Sequence, residues 1–379
     1  MRGHDTEKMA VDSSIQRITR LTPLSAILAL IESRVTVVLP RQSSLQAARD
    51  FTLADDVVAP ECPPQPIALR DGFPVESAMV ADAGSYAPVP LPLTTRPIDV
   101  GEPLPSGTDA VLPFDAVTLS GYRAEAVAPI AAGEGVLLAG GDTMGKRPLR
   151  RAGEVARAVD IAVMRAVGIK DVTIRLPRIH VVWGGEARSP VIEAALVTII
   201  RVIGEAGGLV TGRSITLDPA LGDPETDAVI AVGGTGSGQR DAAVHTLARL
   251  GQVEAHGIAV SPGETAAFGF ASAKPVLLIP GRLDAALAIW LLIGRQLVAK
   301  LAGGSIADWP VTLPLKRKVT STIGLTELVP VGCAGGVAEP LASGYLSLES
   351  LARSDGWILV PADSEGYAAG TPVAVRSWP

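Results

Sequence analysis

The chain has 379 residues, 47% of them hydrophobic, with 40 glycines, 30 prolines and a formal net charge of −6. Its length exceeds one ordinary core and its apolar content excludes wholesale disorder, so roughly two to four domains are expected. Acidic and basic residues are interspersed, without a basic stripe or aromatic–basic interleaving, which argues against nucleic acid as the main partner.

Residues Met1–Ser14 are polar and pattern-free, which predicts a mobile tail over 1–14. No charged-then-apolar leader follows Met1, and the early apolar run Leu24–Ile31 is too short to span a bilayer. Cys62 and Cys333, far apart in sequence, read as two reduced thiols rather than a lone disulfide. A protein with no membrane segment, working in the cytoplasm, is expected.

Thr22-Pro23 reads as an N-cap followed by proline at the first helical position. Leu24, Ile27, Leu28 and Ile31 then repeat at helical spacing and predict an amphipathic helix. From Val35 to about Leu138, short runs such as Ala110–Leu112 and Val136–Leu138 are broken by proline and glycine, as in a small β-domain. Asp160–Val167 reads as a helix stopped by Gly168, and Val172–Leu176 as a strand.

From Arg178 the pattern becomes β-α-β. Strands are expected over Ile179–Trp183, Leu209–Ile215, Ala228–Val232 and Val276–Ile279, with helices over Val191–Ile203, Asp241–Leu250 and Asp284–Leu301. Such alternation implies a parallel, doubly wound sheet. Gly184-Gly185, Gly233–Gly238 and Pro280-Gly281 would then lie along one carboxyl edge, where such sheets bind ligands. The run Gly233-Gly234-Thr235-Gly236-Ser237-Gly238, between an apolar strand and a helix starting near Asp241, suits an anion, most often phosphate. A tight turn without a ligand is the alternative reading of the glycines alone. Beyond Asp308 the chain is again β-like.

Several phrases together resemble the molybdopterin molybdenumtransferases, the MoeA proteins and the E domain of gephyrin. They are Arg70-Asp71-Gly72-Phe73, Gly101–Val111, Gly140-Gly141-Asp142 with Ala152-Gly153-Glu154, Gly233–Asp241, Ser261–Glu264, Leu278–Gly281 and Gly356–Pro361, in family order. The resemblance implies a multidomain α/β plus β protein: a doubly wound molybdopterin-binding α/β domain, an inserted β-rich domain and a C-terminal β-barrel. The corresponding division is a mixed N-terminal domain over 15–48 and 145–176, an insert over 49–144, the α/β domain over 177–304 and the barrel over 305–379.

It further implies a homodimer and insertion of molybdate into adenylylated molybdopterin with release of AMP. Mg2+ would be the metal, and a molybdopterin adenylyltransferase the partner. By family position Asp71, Asp142 and Asp241 are the catalytic carboxylates, and Glu186 with Asp241 the metal ligands. Gly233, Gly234, Thr235, Gly236, Ser237, Gly238, Ser261, Arg282 and Ser343 would bind the cofactor.

The family's cations are not kept. Gly257, Ser261 and Glu264 stand where it usually carries lysines, and its C-terminal arginine position falls near Val329. Arg240, Arg282, Arg188 and Lys274 are the candidate substitutes. Between Glu186 and Gly233 the connection is shorter than in the family, with Asp218–Pro224 bridging the gap and a helix expected to be missing. A degenerate molybdopterin-binding scaffold with the same fold and dimer is the competing reading. A nicotinamide-dependent oxidoreductase fits poorly, because the loop lacks the G-x-G-x-x-G spacing.

Overall fold

The computed structural model describes residues 18–121, 123–183, 189–238, 241–306 and 308–379. The tail expected over 1–14 and the Gly184-Gly185 turn lie outside the described residues.

At the centre is a six-stranded sheet in the order Leu209–Ser214, Arg178–Trp183, Ala228–Val232, Lys274–Ile279, Ala267–Ala271, Gln252–His256. The first four strands are parallel, as expected. The last two run antiparallel, so the sheet is mixed rather than wholly parallel. Ala228–Val232 is buried at all five positions, because helices cover both faces. Burying each of its valine and isoleucine side chains contributes about 1.5–3 kcal/mol.

On one face, Pro190–Glu205 and the long helix Leu283–Ala302 pack with the N-terminal helix Leu24–Arg34. Ser189 caps the first of these by accepting the Ile192 amide at 3.3 Å, with Pro190 at the first helical position. Leu283–Ala302 has the length and composition to cross a membrane, yet it is largely buried as the helix on which this core is built. The opposite face carries Ala243–Leu250 and a short helix, Leu217–Gly222, whose Leu217, Ala220 and Leu221 are buried. The expected absence of a helix there is therefore corrected. Pro219 falls early enough in Leu217–Gly222 to be tolerated, and these few residues still close the apolar face.

Thr22 is not an N-cap. Pro23 occupies that position, while Thr22 donates its amide to the Gly257 carbonyl at 2.9 Å and accepts the Ala259 amide at 2.8 Å.

Residues 41–53 and 155–175 form a small unit of their own. A three-stranded sheet, Arg41–Ser44, Asp171–Arg175 and Thr52–Leu53, packs on the helix Ala158–Ala166 through Leu45, Leu53, Met164 and Ile174. Between them, short antiparallel ladders enclose a separate core around Phe73, Val80 and Leu112. Among the described residues, no strand from 57–150 pairs with the six-stranded sheet. The C-terminal residues build a second sheet on Thr326–Ala334, Gly356–Val360 and Pro372–Ser377. Val260–Ser261 joins its edge in parallel with Thr326–Ala334, Ser261 standing opposite Glu327. That pairing fastens the two sheets together.

Candidate functional site

The chain leaves Arg178–Trp183 for an outer strand on one side and returns to Ala228–Val232 on the other. The loops after these two strands therefore diverge at a topological switch point, where sheets of this kind open a ligand crevice. Gly233–Gly238 stands there. Gly233 and Gly234 have φ of 91° and 76°, values that glycine adopts without steric cost. Gly233 donates its amide to the Ile279 carbonyl at 2.8 Å, and a Cβ on Gly281 would lie 3.4 Å from the Gly233 Cα. The glycine loop and the Pro280-Gly281 turn are thus packed side by side.

The loop is braced from within. Asp241 folds back so that its Oδ2 accepts the Gly238 amide at 2.9 Å. Thr235, 2% exposed, shares a hydroxyl–hydroxyl hydrogen bond of 3.2 Å with Thr265, and its carbonyl lies 3.1 Å from His256 Nε2. The amides of Gly233 and Gly238 are consequently committed to protein acceptors. Ser237 is exposed at the tip and shows no hydrogen bond among the described residues. The helix itself begins at Ala243, two residues later than its sequence suggests, because Asp241 belongs to the loop.

A second group of polar side chains lies where helix Leu283–Ala302 meets the C-terminal sheet. Glu327, 5% exposed, accepts both the Ser343 hydroxyl at 2.9 Å and the Gly344 amide at 2.8 Å on Oε1. Asp284, 4% exposed, accepts the Ala285 amide at 2.8 Å and the Leu346 amide at 3.2 Å. The segment Ser343–Leu346 is therefore held at both ends by buried carboxylates. Arg282 chelates Asp284 through Nε and a terminal nitrogen, and its guanidinium carbon stands 4.8 Å from the Tyr345 ring centroid. The hydrogen bond to Asp284 holds the Arg282 pKa above its ordinary value, with Tyr345 and Glu264 adding charge in the same direction.

These placements sort the residues singled out from sequence. Gly233–Gly238 and Asp241 form one loop, whereas Arg282 and Ser343 belong to the neighbouring junction. Ser261 is 7% exposed on the strand opposite Glu327. Asp71 and Asp142 lie in the β-rich insert, Asp71 accepting the Val100 amide at 2.8 Å and Asp142 donating its own amide to the Cys62 carbonyl at 3.0 Å. Among the described residues, no strand pairing brings either of them to Asp241 within one chain.

Glu186, Arg188 and Arg240 lie outside the described residues. Lys274 is no substitute cation for the crevice. It begins the strand that ends at Ile279, about 17 Å away along an extended chain, and donates to the Leu221 and Asp223 carbonyls. Cys62 and Cys333 are both free thiols. Among the described residues no three His, Cys, Asp or Glu side chains are grouped to hold a metal.

Sequence reasoning missed Asp284 and Glu327. A lone carboxylate inside the apolar run Leu325–Val331 was the available signal for Glu327. Asp284, in the first turn of a helix, looks like an ordinary complement to the helix dipole.

A mixed sheet with a glycine loop at its switch point, sewn to a β-rich C-terminal unit, defines the class of protein. Comparisons with known proteins supply the family. Residues 11–168 match the MoeA N-terminal region (domain I and II), 215–300 a "probable molybdopterin binding domain", and 312–378 the MoeA C-terminal region (domain IV). A Methanocaldococcus jannaschii protein named for molybdopterin biosynthesis is 36% identical over 152 residues, which is 40% of this chain and 36% of that protein. The chain thus spans little more than a third of that relative's length. The molybdopterin molybdenumtransferase of Synechococcus elongatus is 27% identical, covering 86% of this chain and 92% of its own. A crystal structure of a MoeA protein from Pyrococcus horikoshii shares the fold with a TM-score of 0.74 at 24% identity, covering 95% of this chain and all of that one. The chain belongs to the MoeA family.

Proposed function

We propose that this protein acts in molybdenum-cofactor biosynthesis as a molybdopterin molybdenumtransferase. It would insert molybdate into adenylylated molybdopterin and release AMP. The observation that carries the reading is the braced glycine loop at the sheet's switch point, in a chain matched along most of its length by MoeA models.

Both substrates are anionic, so the crevice must supply donors and limit local negative charge. Ser237, exposed at the loop tip and without a hydrogen-bond partner among the described residues, meets the pterin phosphate. Thr235 and Asp241 keep the loop in the shape that presents it. Ser343, oriented by Glu327, and Arg282, oriented by Asp284, line the neighbouring wall and hold the remainder of the substrate. Mg2+ needs only one or two protein carboxylates when substrate phosphates complete its shell. Glu186 and Asp241 are the carboxylates proposed to hold it, and its chemistry there is charge neutralisation.

Asp71 and Asp142 take part from the insert of a second subunit in a homodimer, since among the described residues the insert forms no ladder with its own six-stranded sheet. The same reading keeps a four-part division of the chain, the cytoplasm as its place and a molybdopterin adenylyltransferase as its partner.

Isothermal titration of the full chain with molybdopterin and with its adenylylated form tests the binding half of the proposal. Saturable binding of both, weakened at least tenfold by Ser237→Pro, is expected. No heat with either ligand would contradict it.

A further inference from the structure

We propose that a cavity between the helices Pro190–Glu205 and Leu283–Ala302 and the C-terminal residues is a binding site for a small organic anion, whose charged head pairs with Arg295. The inference does not depend on the function proposed above, and the cavity shares no lining residue with the glycine loop or with Arg282, Asp284 and Ser343.

The cavity measures about 340 Å³, near the lower end of the about 300–1,000 Å³ typical of ligand sites, which suits a molecule with one ring. Its walls are largely apolar, with Val202, Trp290, Leu291 and Trp378 among them, and Arg295 supplies a cation in the lining. The Trp378 ring is fixed by its indole N–H, which donates to Ser354 Oγ at 2.8 Å.

Arg295 is an unusual residue for such a wall. Its Nε is buried and has no hydrogen-bond partner, and the side chain forms no ion pair among the described residues. The nearby carboxylates are already engaged. Asp308 accepts from Arg376 Nε at 2.7 Å, and Glu205 accepts from Arg201 Nε at 2.8 Å. Its guanidinium carbon lies 5.8 Å from the Trp357 ring centroid, within cation–π range. Burial pushes the Arg295 pKa down and the neighbouring Arg376 pushes the same way, whereas Asp308 opposes them. A planar fork of donors, partly desolvated and short of acceptors, is suited to a carboxylate or phosphate.

The backbone is shaped to build this wall. Residues Trp290–Gly294 form a π-helical turn inside an otherwise α-helical segment, and Arg295 donates its amide to the Trp290 carbonyl, five residues back. Such turns are uncommon and concentrate at functional sites. The wider turn sets Trp290 and Arg295 beside each other on the cavity side. Gly294 makes it possible, because a Cβ there would stand 2.4 Å from the Trp290 ring. Aromatic surface and cation are thereby brought together as an amphipathic anion requires.

The test uses the full chain with benzoate, phenyl phosphate, inorganic phosphate and the neutral analogue benzamide, followed by isothermal titration and tryptophan fluorescence. Saturable one-to-one binding of benzoate or phenyl phosphate is expected, at least tenfold tighter than benzamide or inorganic phosphate. The stronger of the two identifies the head group. Arg295→Met should weaken that binding at least tenfold. The comparison of benzoate with benzamide needs no variant, so it decides even where Arg295→Met fails to fold. Absence of saturable binding by the wild-type chain, equal binding of benzamide, or binding unchanged in a folded Arg295→Met protein would each overturn the proposal.

Discussion

The Asp241 carboxylate accepts the Gly238 amide at 2.9 Å, and Oδ2 lies 2.7 Å from where a Cβ on Gly236 would stand. The carboxylate thus fills the space that the missing glycine side chains leave, and a loop with four glycines acquires a definite shape. Asp241→Asn retains an acceptor of the same size for Gly238 but removes the charge. It should fold as the wild type does and lose at least tenfold in turnover. Asp241→Ala removes the brace as well and should cost about 0.5–2 kcal/mol, the worth of a lost cap. Denaturant unfolding and turnover measured on both variants separate the two roles.

Restoring the family's lysines should succeed at one position and fail at another. Gly257 has a φ of 96°, and a Cβ there would lie 2.5 Å from Ile18 Cγ2 and 2.9 Å from the Arg20 carbonyl oxygen. Gly257→Lys therefore meets both the left-handed backbone cost of about 1–2 kcal/mol and the segment around Ile18 and Arg20 that covers it. It should unfold at clearly lower denaturant. Glu264 is only partly buried, and its carboxylate accepts the adjacent Gly263 amide at 3.0 Å. Glu264→Lys reverses a charge near Arg282 and should tighten phosphate-ligand binding severalfold at low salt, with the gain shrinking as salt is added. Titration at two ionic strengths reads this directly.

Glu327 holds Ser343 and Gly344 from inside the protein. Glu327→Gln keeps an oxygen that can accept both donors and should be close to neutral in stability. Glu327→Ala strands a buried amide and frees the segment up to Leu346, at a cost of about 1–3 kcal/mol. Thermal unfolding of the pair discriminates; equal destabilisation by both would show that charge, not acceptance, matters here.

His180 gives the fold an acid-sensitive element. The ring is 7% exposed, its Nε2 lies 3.1 Å from Ser214 Oγ, and Nδ1 is buried without a partner among the described residues. Desolvation lowers its pKa below the ordinary 6.5, with Asp223 opposing the shift. The unfolded chain therefore takes up a proton at a pH where the native ring does not. Stability is full above pH 6.5 and falls as pH drops from there toward the native value, by at most about 1.4 kcal/mol per pH unit. His180→Gln should flatten this part of the stability–pH curve.

The parts of the fold that were legible in sequence are those whose side chains declare their surroundings. Ala228–Val232 is apolar without interruption because it is covered on both faces, and Pro190–Glu205 carries a helical stripe behind a serine cap. The antiparallel pair Gln252–His256 and Ala267–Ala271 was not read as strands. Polar residues occupy Gln252, Glu254 and His256, and Gly269 resembles a break. In the structure Gly269 admits the Gln252 carbonyl, since a Cβ would lie 2.2 Å from that oxygen.

The glycine loop was legible for the same reason, as backbone geometry demands particular residues. Its brace from Thr235 to Thr265 and the contact of Glu327 with Ser343 were not. They join residues 30 and 16 positions apart through tertiary packing, and no local pattern encodes them. The π turn at Trp290–Gly294 is invisible for a related reason, since its residues suit an ordinary core helix equally well.

The most direct test of the central claim is a single-turnover reaction of the full chain with adenylylated molybdopterin and Mg2+, with and without molybdate. Molybdate-dependent release of one AMP per bound substrate, abolished by Asp241→Ala in a folded protein, is the predicted result. Tight binding of the substrate with no AMP release under either condition would contradict the transferase and leave a binding scaffold.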